Sequence, residues 1–240
     1  MDFLINIYNL ILYRPLFNAL VLLYQYLPGH DFGVAIISLT VLIRIIFYPL
    51  GIQAIKSQKI LQDLQPKLKE IQEKYKGDRE KLARATMELY QKEKINPFSG
   101  CLPLLIQLPI LIALYRVFWK GLQSGQMNNL YSFVPFPGEI SPTFLGIINL
   151  SLPSLILAIL AGAFQFFQTK MVTPQKIYSR EEKKKTPDFS QLMQQQMLYF
   201  FPIFTVLILL KLPSAIALYW IITSIFSILQ QYLIFQKQKW

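Results

Sequence analysis

Arg44 is the side chain in this sequence whose chemistry is hardest to reconcile with its surroundings. It lies inside a long apolar stretch, about eight residues or roughly 12 Å of helix from the nearer end. A charged side chain at the middle of a membrane costs about 2.5–3.5 kcal/mol on insertion scales. No Asp or Glu occurs in any of the five apolar stretches of the chain to pair with it. Two interpretations stay open: the guanidinium snorkels past Tyr48 to the headgroups, or it faces a hydrated cavity.

Polar side chains recur in the other apolar stretches and favour the cavity. Thr40 lies one helical turn before Arg44 and on the same face. Gln107 stands between Pro103 and Pro109, which disturb the helix backbone and free carbonyls for water. Any one polar residue is explained by a helix–helix contact or an interfacial aromatic belt. Together they predict a hydrophilic recess, to which the later stretches contribute Gln165, Gln168, Tyr219, Trp220, Thr223, Ser224 and Ser227.

Other chemistry finds little support in the sequence. The single histidine, His30, lies outside the apolar stretches, and there is one cysteine, Cys101. The sequence has neither a phosphate-binding GxxxxGK[ST] loop nor a dinucleotide-binding fingerprint. We therefore predict that the protein is not an enzyme and holds no cofactor and no metal.

The composition places these residues in a membrane. Of the 240 residues, 53% are hydrophobic and only 15% charged, with a mean hydropathy of +0.37. Stretches of about 20 apolar residues can cross the roughly 30 Å hydrocarbon core as helices. We predict an all-α polytopic membrane protein with five transmembrane helices at about residues 33–52, 101–119, 152–169, 197–212 and 215–235. The fourth span is short, which would either thin the bilayer locally or reflect a smaller tilt.

The distribution of positive charge predicts the orientation. Nineteen of the 24 Lys and Arg residues fall in 56–94, in 170–185 and after residue 235. Because cytoplasmic loops are enriched in Lys and Arg, these segments are predicted to be cytoplasmic. The N-terminus is then outside and the C-terminus inside.

Two segments lie outside the predicted spans. Residues 1–32 form a predicted N-terminal extracytoplasmic segment, in which Pro15–Leu27 has the apolar face of a helix lying in the interface. The alternative is a sixth span with Arg14 in its middle. Residues 56–94 predict an antiparallel cytoplasmic hairpin that reverses at Gly77–Asp78, with Pro66 as a kink. Its first helix carries an apolar seam with spacings of three and four, namely Leu61, Leu64, Leu68, Ile71 and Tyr75. This hairpin is either a solvated linker or a docking site for a large partner.

Three sequence blocks in the same order identify a family resemblance. They are Leu39–Pro49 with its Thr-x-x-x-Arg, Asn96–Pro109, and Phe201–Phe204 followed by Leu212–Ser214, Leu218–Trp220 and Gln230-Gln231. From about Tyr13 to Lys239 the chain resembles the YidC/Oxa/Alb membrane protein insertases. The resemblance implies a minimal bacterial form in the plasma (inner) membrane.

The resemblance also implies roles for particular residues. It predicts a groove open to cytoplasm and lipid, in which Arg44 receives hydrophilic parts of a nascent chain. The other residues predicted to line the groove are Thr40, Gln107, Gln168, Tyr219 and Trp220. Gln165 is the alternative to Gln168. The implied partners are nascent membrane proteins and the lipid bilayer. The hairpin would be the binding site for the ribosome, signal recognition particle components or the Sec translocon. Direct sequence-specific nucleic-acid binding is not expected, since no nucleic-acid fold signature accompanies the basic segments.

The predicted function is membrane protein insertion without covalent chemistry. A polar-lined channel or small-solute transporter is the alternative, although inverted repeats and paired intramembrane charges are not seen. A purely structural assembly chaperone shares most of the same features.

Overall fold

The computed structural model describes residues 2–93, 102–120, 129–173 and 196–237. The described residues form a helical membrane-protein fold, as the sequence predicts. The exception is a small antiparallel ladder between β1 (Thr143–Phe144) and β2 (Ile148–Asn149). Three helical stretches are long and apolar enough to cross a membrane, namely Ile5–Tyr26, Leu155–Val172 and Ser214–Gln236, and one bent pair of helices adds a fourth.

The N-terminus is one helical rod. It comprises α1 (Asp2–Tyr8), a π-helical segment (Asn9–Tyr13) and α2 (Arg14–Tyr26). Buried side chains of α2, among them Phe17 and Val21, pack against the core. Because the rod is long and apolar enough to span a membrane, its interfacial position stays a prediction and the spanning alternative stays open.

The first predicted span, 33–52, is broken in the structure. Helix α3 (Phe32–Ile46) ends before Phe47, and α4 (Tyr48–Asp63) leaves at an angle of 68°. Pro49 provides the physical reason, since it has no N–H for the carbonyl of Ile45 and its ring clashes with that carbonyl. The expected straight helix to residue 52 is therefore replaced by a bend, and α4 runs on into the hairpin.

The hairpin is present as predicted. Helices α5 (Gln65–Lys74) and α6 (Arg79–Lys92) pack against each other, and the side chain of Asp78 caps α6 by accepting from the backbone N–H of Lys81 at 3.0 Å. The seam residues Leu64 and Leu68 are buried. Lys67 donates to Glu93 across the hairpin, and this hydrogen bond holds the pKa of the Glu93 carboxyl below its ordinary value.

The remaining helices agree with the predicted spans to within a few residues. They are α7 (Leu102–Lys120), α8 (Leu155–Val172), α9 (Phe201–Leu209, preceded by a π-helical segment Gln196–Phe200) and α10 (Ser214–Lys237). The predicted break near Pro213 separates α9 from α10. Because the apolar parts of α7 and α9 are short, Gln107–Trp119 and Leu198–Leu209, the count of five spans stays a prediction.

The core gathers around α10, which contacts α3, α4, α7, α8 and α9. At one end of the bundle Phe32 packs edge-on against Phe118, with ring centroids 6.2 Å apart. At the same end the carbonyls of Leu150 and Leu152 accept from the backbone N–H groups of Ala215 and Ser214. The start of α3, the end of α7 and the turn before α10 are thereby joined at the end predicted to be extracytoplasmic.

Candidate functional site: a polar cavity around Arg44

A polar cavity of about 270 Å³ lies between α3, α4, α7, α8 and α10. Five of the six predicted groove residues line it: Arg44, Gln107, Gln168, Tyr219 and Trp220. These residues come from four separate helices, so the tertiary fold brings them together. Among the residues that the structure describes, no Asp or Glu lines the cavity.

Arg44 enters the cavity from the last turn of α3. A cation there is favoured by the negative end of the helix dipole. The bend at Phe47 turns α4 aside, and α4 becomes a wall of the cavity through Gly51, Ala54 and Gln58. Arg44 and α4 therefore face the same cavity.

Two side-chain hydrogen bonds join α10 to its neighbours at the cavity wall. Gln107 on α7 donates to the hydroxyl of Tyr219, which is almost completely buried. Trp220 donates its indole N–H to the Oε1 of Gln165 on α8, at 3.1 Å. Gln165 and Gln168, which are alternatives for one groove position in the sequence analysis, both line the cavity.

Thr40 is the predicted residue that does not line the cavity. Its hydroxyl donates to the carbonyl of Ile36 within α3 at 2.6 Å, and the side chain is buried. Spacing by four residues correctly indicates the same helix face. One turn further from the bend, however, packing against neighbouring helices closes that face.

Helix α10 contributes a longer polar row than the predicted groove residues include. Beyond Trp220 the row continues through residues spaced by three or four: Thr223, Ser224, Ser227, Gln230 and Gln231. This periodicity is visible in the sequence. There Thr223, Ser224 and Ser227 are predicted to contribute to the recess, and the Gln pair belongs to the third sequence block. Gln230 also donates to the carbonyl of Tyr48 at 3.1 Å, which holds α4 against α10.

Two polar groups in this row indicate what fills the cavity. The Ser224 hydroxyl and the Gln231 Oε1 are buried, and neither has a hydrogen-bond partner within the described part of the chain. A buried polar group left unpaired costs about 1–3 kcal/mol. One water needs about 30 Å³, so a cavity of about 270 Å³ has room for several.

Apolar packing closes the cavity at the end where α10 begins. The lining stops at Tyr219, and the four preceding residues, Ala215 to Leu218, are each at most 4% exposed. Buried Leu39 and Leu114 add to this seal. The polar row instead extends towards the end of the bundle that leads into the hairpin.

Comparison with known proteins agrees with this architecture. A family model described as 60Kd inner membrane protein matches residues 22–239. Similar curated proteins are each named membrane protein insertase YidC. The one from Fusobacterium nucleatum is 36% identical over 207 residues, covering 86% of this chain and 87% of the relative. The one from Geobacter metallireducens is 35% identical, covering 91% of this chain but 35% of the relative. The chain thus spans about a third of the length of some relatives.

A solved structure is similar as well. It is described as an active YidC insertase with the first transmembrane domain resolved, and it matches with a TM-score of 0.58 and 27% identity. The match covers 92% of this chain and 46% of that one. Fold and cavity define a helical membrane protein with a polar recess between its helices. The chain belongs to the 60Kd inner membrane protein family, and the resemblance to the YidC/Oxa/Alb insertases is confirmed.

Proposed function

We propose that this protein inserts other membrane proteins by receiving their polar segments in the cavity around Arg44. The observation that carries the proposal is an arginine in a recess that, as far as the described residues go, contains unpartnered polar groups and no carboxylate. Such a recess suits an acidic or polar segment of a nascent membrane protein. Thr40 is left out of the proposed groove, and Gln165 is added.

Hydration and charge together provide the attraction. Two unit charges 4 Å apart interact by about 1 kcal/mol in water and about 4 kcal/mol at an effective permittivity of 20. Arg44 would therefore attract an acidic side chain more strongly inside the cavity than in bulk water.

Release follows from apolar transfer. Once the polar segment is held, the adjacent hydrophobic segment of the substrate passes sideways into lipid, driven by about 25 cal/mol per Å² of apolar surface removed from water. The apolar helix Leu198–Leu209 is short, which supports a locally thin bilayer at this part of the fold. The transfer breaks no covalent bond, so the proposed activity needs no catalytic group.

The proposed topology has the N-terminus outside, the C-terminus in the cytoplasm and five spans in the bacterial plasma membrane. The excess of Lys and Arg in the hairpin and the second polar loop supports it. The hairpin, with its small apolar seam and charged outer faces, is proposed to contact a ribosome, a targeting factor or a translocon. A channel fits less well, because a conducting path would have to cross the packed start of α10.

Reconstituted vesicles test the proposal. Purified protein is offered a single-span substrate with an acidic N-terminal tail, and the same substrate with a neutral tail. Arg44→Ala is expected to reduce insertion of the acidic substrate several-fold more than that of the neutral one. Arg44→Lys is expected to keep most activity if charge, rather than bidentate geometry, matters.

Lys211→Ala serves as the matched control, because it also removes one positive charge but lies exposed in the turn after α9. Equal insertion by wild type and Arg44→Ala would overturn the groove mechanism. Passage of small ions through the purified wild-type protein would favour the channel instead.

A further inference from the structure

A second polar pocket lies at the opposite end of the bundle from the Arg44 cavity. Its volume is about 390 Å³, between the N-terminal rod and α7. Within the described part of the chain, its lining includes two arginines, Arg14 and Arg116, and no carboxylate. The other polar residues of this lining are Asn6, Asn9, Tyr13 and Asn129. It is thus a concentration of positive charge and amide groups that insertion through the groove does not use.

Arg14 is held firmly at this pocket by the segment that follows α7. Its Nε donates to the carbonyl of Asn129 at 3.1 Å and its Nη2 to that of Leu130 at 3.4 Å. The guanidinium also lies over the ring of Tyr131, 4.7 Å from the centroid. A guanidinium has five N–H donors, so a group fixed by these two bonds still has donors for a ligand.

Arg116 reaches the same pocket from the last turns of α7. Its guanidinium lies over the ring of Tyr8, 5.4 Å from the centroid. Two like charges lining one pocket repel each other, and an anion between them would relieve that repulsion. Arginine pairs well with phosphate, since its planar fork donates two parallel hydrogen bonds to the phosphate oxygens.

The surface around the pocket is apolar and exposed. On the N-terminal rod Phe3, Leu10 and Ile11 are each more than 60% exposed, and on α7 Ile112 and Trp119 are about half exposed. Apolar side chains next to a cationic pocket match a ligand with a phosphate and acyl chains. They contribute nothing to binding a free phosphate ion.

We propose that this pocket binds the phosphate group of an anionic phospholipid through Arg14 and Arg116. Under the predicted topology the lipid belongs to the extracytoplasmic leaflet. Binding there would tie the N-terminal rod and the segment after α7 to the bilayer. The site lies outside the groove, so it does not depend on the proposed insertion activity.

Fluorescence quenching by brominated lipids tests the site. Trp119 lies three residues after Arg116 on the same helix, and Trp220→Phe and Trp240→Phe leave it as the only tryptophan. The full-length protein is reconstituted in mixtures of phosphatidylcholine and phosphatidylglycerol, with bromine on the acyl chains of one lipid at a time. Wild type is expected to be quenched preferentially by the brominated phosphatidylglycerol.

Arg116→Gln is expected to lower that preference about fivefold, because one basic residue near a membrane surface contributes about that factor. Arg116→Lys should keep it, which separates lost charge from a folding defect. Lys211→Gln removes an equivalent charge away from the pocket and should change nothing. Arg14 is left intact because it also holds the backbone at Asn129.

Equal quenching by the two lipids in wild type would overturn the proposal, as would equal losses in Arg116→Gln and Lys211→Gln. Inorganic phosphate, added at constant ionic strength, distinguishes the two sources of the ligand. Removal of the preference by millimolar phosphate would show that the free ion displaces the lipid, and would overturn a site that favours phospholipid over free phosphate. A preference unchanged by phosphate supports it.

Discussion

Hydration of the Arg44 cavity can be measured at two positions that are equally buried. Ser224 and Ala217 lie on the same face of α10, seven residues or roughly 10.5 Å apart. Their exposed fractions are 0% and 1%, yet Ser224 lines the cavity and Ala217 lies in the apolar seal before it. If burial alone governs access, cysteines at the two positions should react equally slowly.

The structure predicts a large difference between them. A water that pairs with the Gln231 Oε1, an acceptor without a partner among the described residues that both variants keep, recovers about 1–3 kcal/mol, which favours a hydrated over a dry cavity by roughly 5- to 140-fold. The nearby charge of Arg44 also stabilises a thiolate. Ser224→Cys should therefore react with a small, water-soluble thiol reagent at least tenfold faster than Ala217→Cys.

The assay uses protein in vesicles with Cys101 replaced by Ser, so that each variant carries one thiol. Both substitutions change side-chain volume little, and unfolded protein, in which both thiols react, provides the common reference rate. Equal rates in the folded protein would refute a hydrated cavity, and with it the attraction of polar segments to Arg44.

Two further outcomes follow from contacts elsewhere in the fold. A Cβ at Gly162 would lie 2.4 Å from the Cγ2 of Val206 on α9 and 3.1 Å from the carbonyl oxygen of Pro202. Gly162→Val should therefore lower the free energy of unfolding by about 1–3 kcal/mol, measured in denaturant. If Val206→Ala restores no part of that loss, the close approach of α8 and α9 is contradicted. The lowered pKa of Glu93 means that its pairing with Lys67 stabilises the hairpin above the ordinary carboxyl pKa and is lost as the pH falls through the lowered value. Amide protection in the hairpin should decrease with acid in wild type and vary less in Glu93→Gln, whereas identical pH profiles would show that the pair is not formed.

Arg44 and Gln107 illustrate how much of the site was predictable. An arginine among apolar residues is conspicuous in sequence because its burial is costly wherever the helix lies. Gln107 is conspicuous for a similar reason, because it is a polar residue between two prolines in an apolar stretch. Both predictions depend on the free-energy cost of placing a polar or charged side chain in an apolar helix. That cost can be recognised from the one segment alone, without knowing which helices pack against it.

Thr40 and Gln230 show where such reasoning ends. Thr40 shares the helix face of Arg44, but whether that face is open depends on the helices packed against it. Gln230 was visible as part of a motif, yet its contact with the carbonyl of Tyr48 joins residues 182 positions apart. Sequence spacing alone carries no information about such a pair.

Local patterns in the sequence are enough to predict the helical membrane class, the hairpin, the break near Pro213 and an arginine within an apolar helix, because periodicity, proline and charge act over one or two helical turns. The bend at Phe47 has a local cause in Pro49, but the position of α4 as a wall of the cavity and the meeting of Arg14 and Arg116 at a second pocket do not follow from local patterns. These features depend on how separate helices fill space around α10, and that packing is a property of the whole chain.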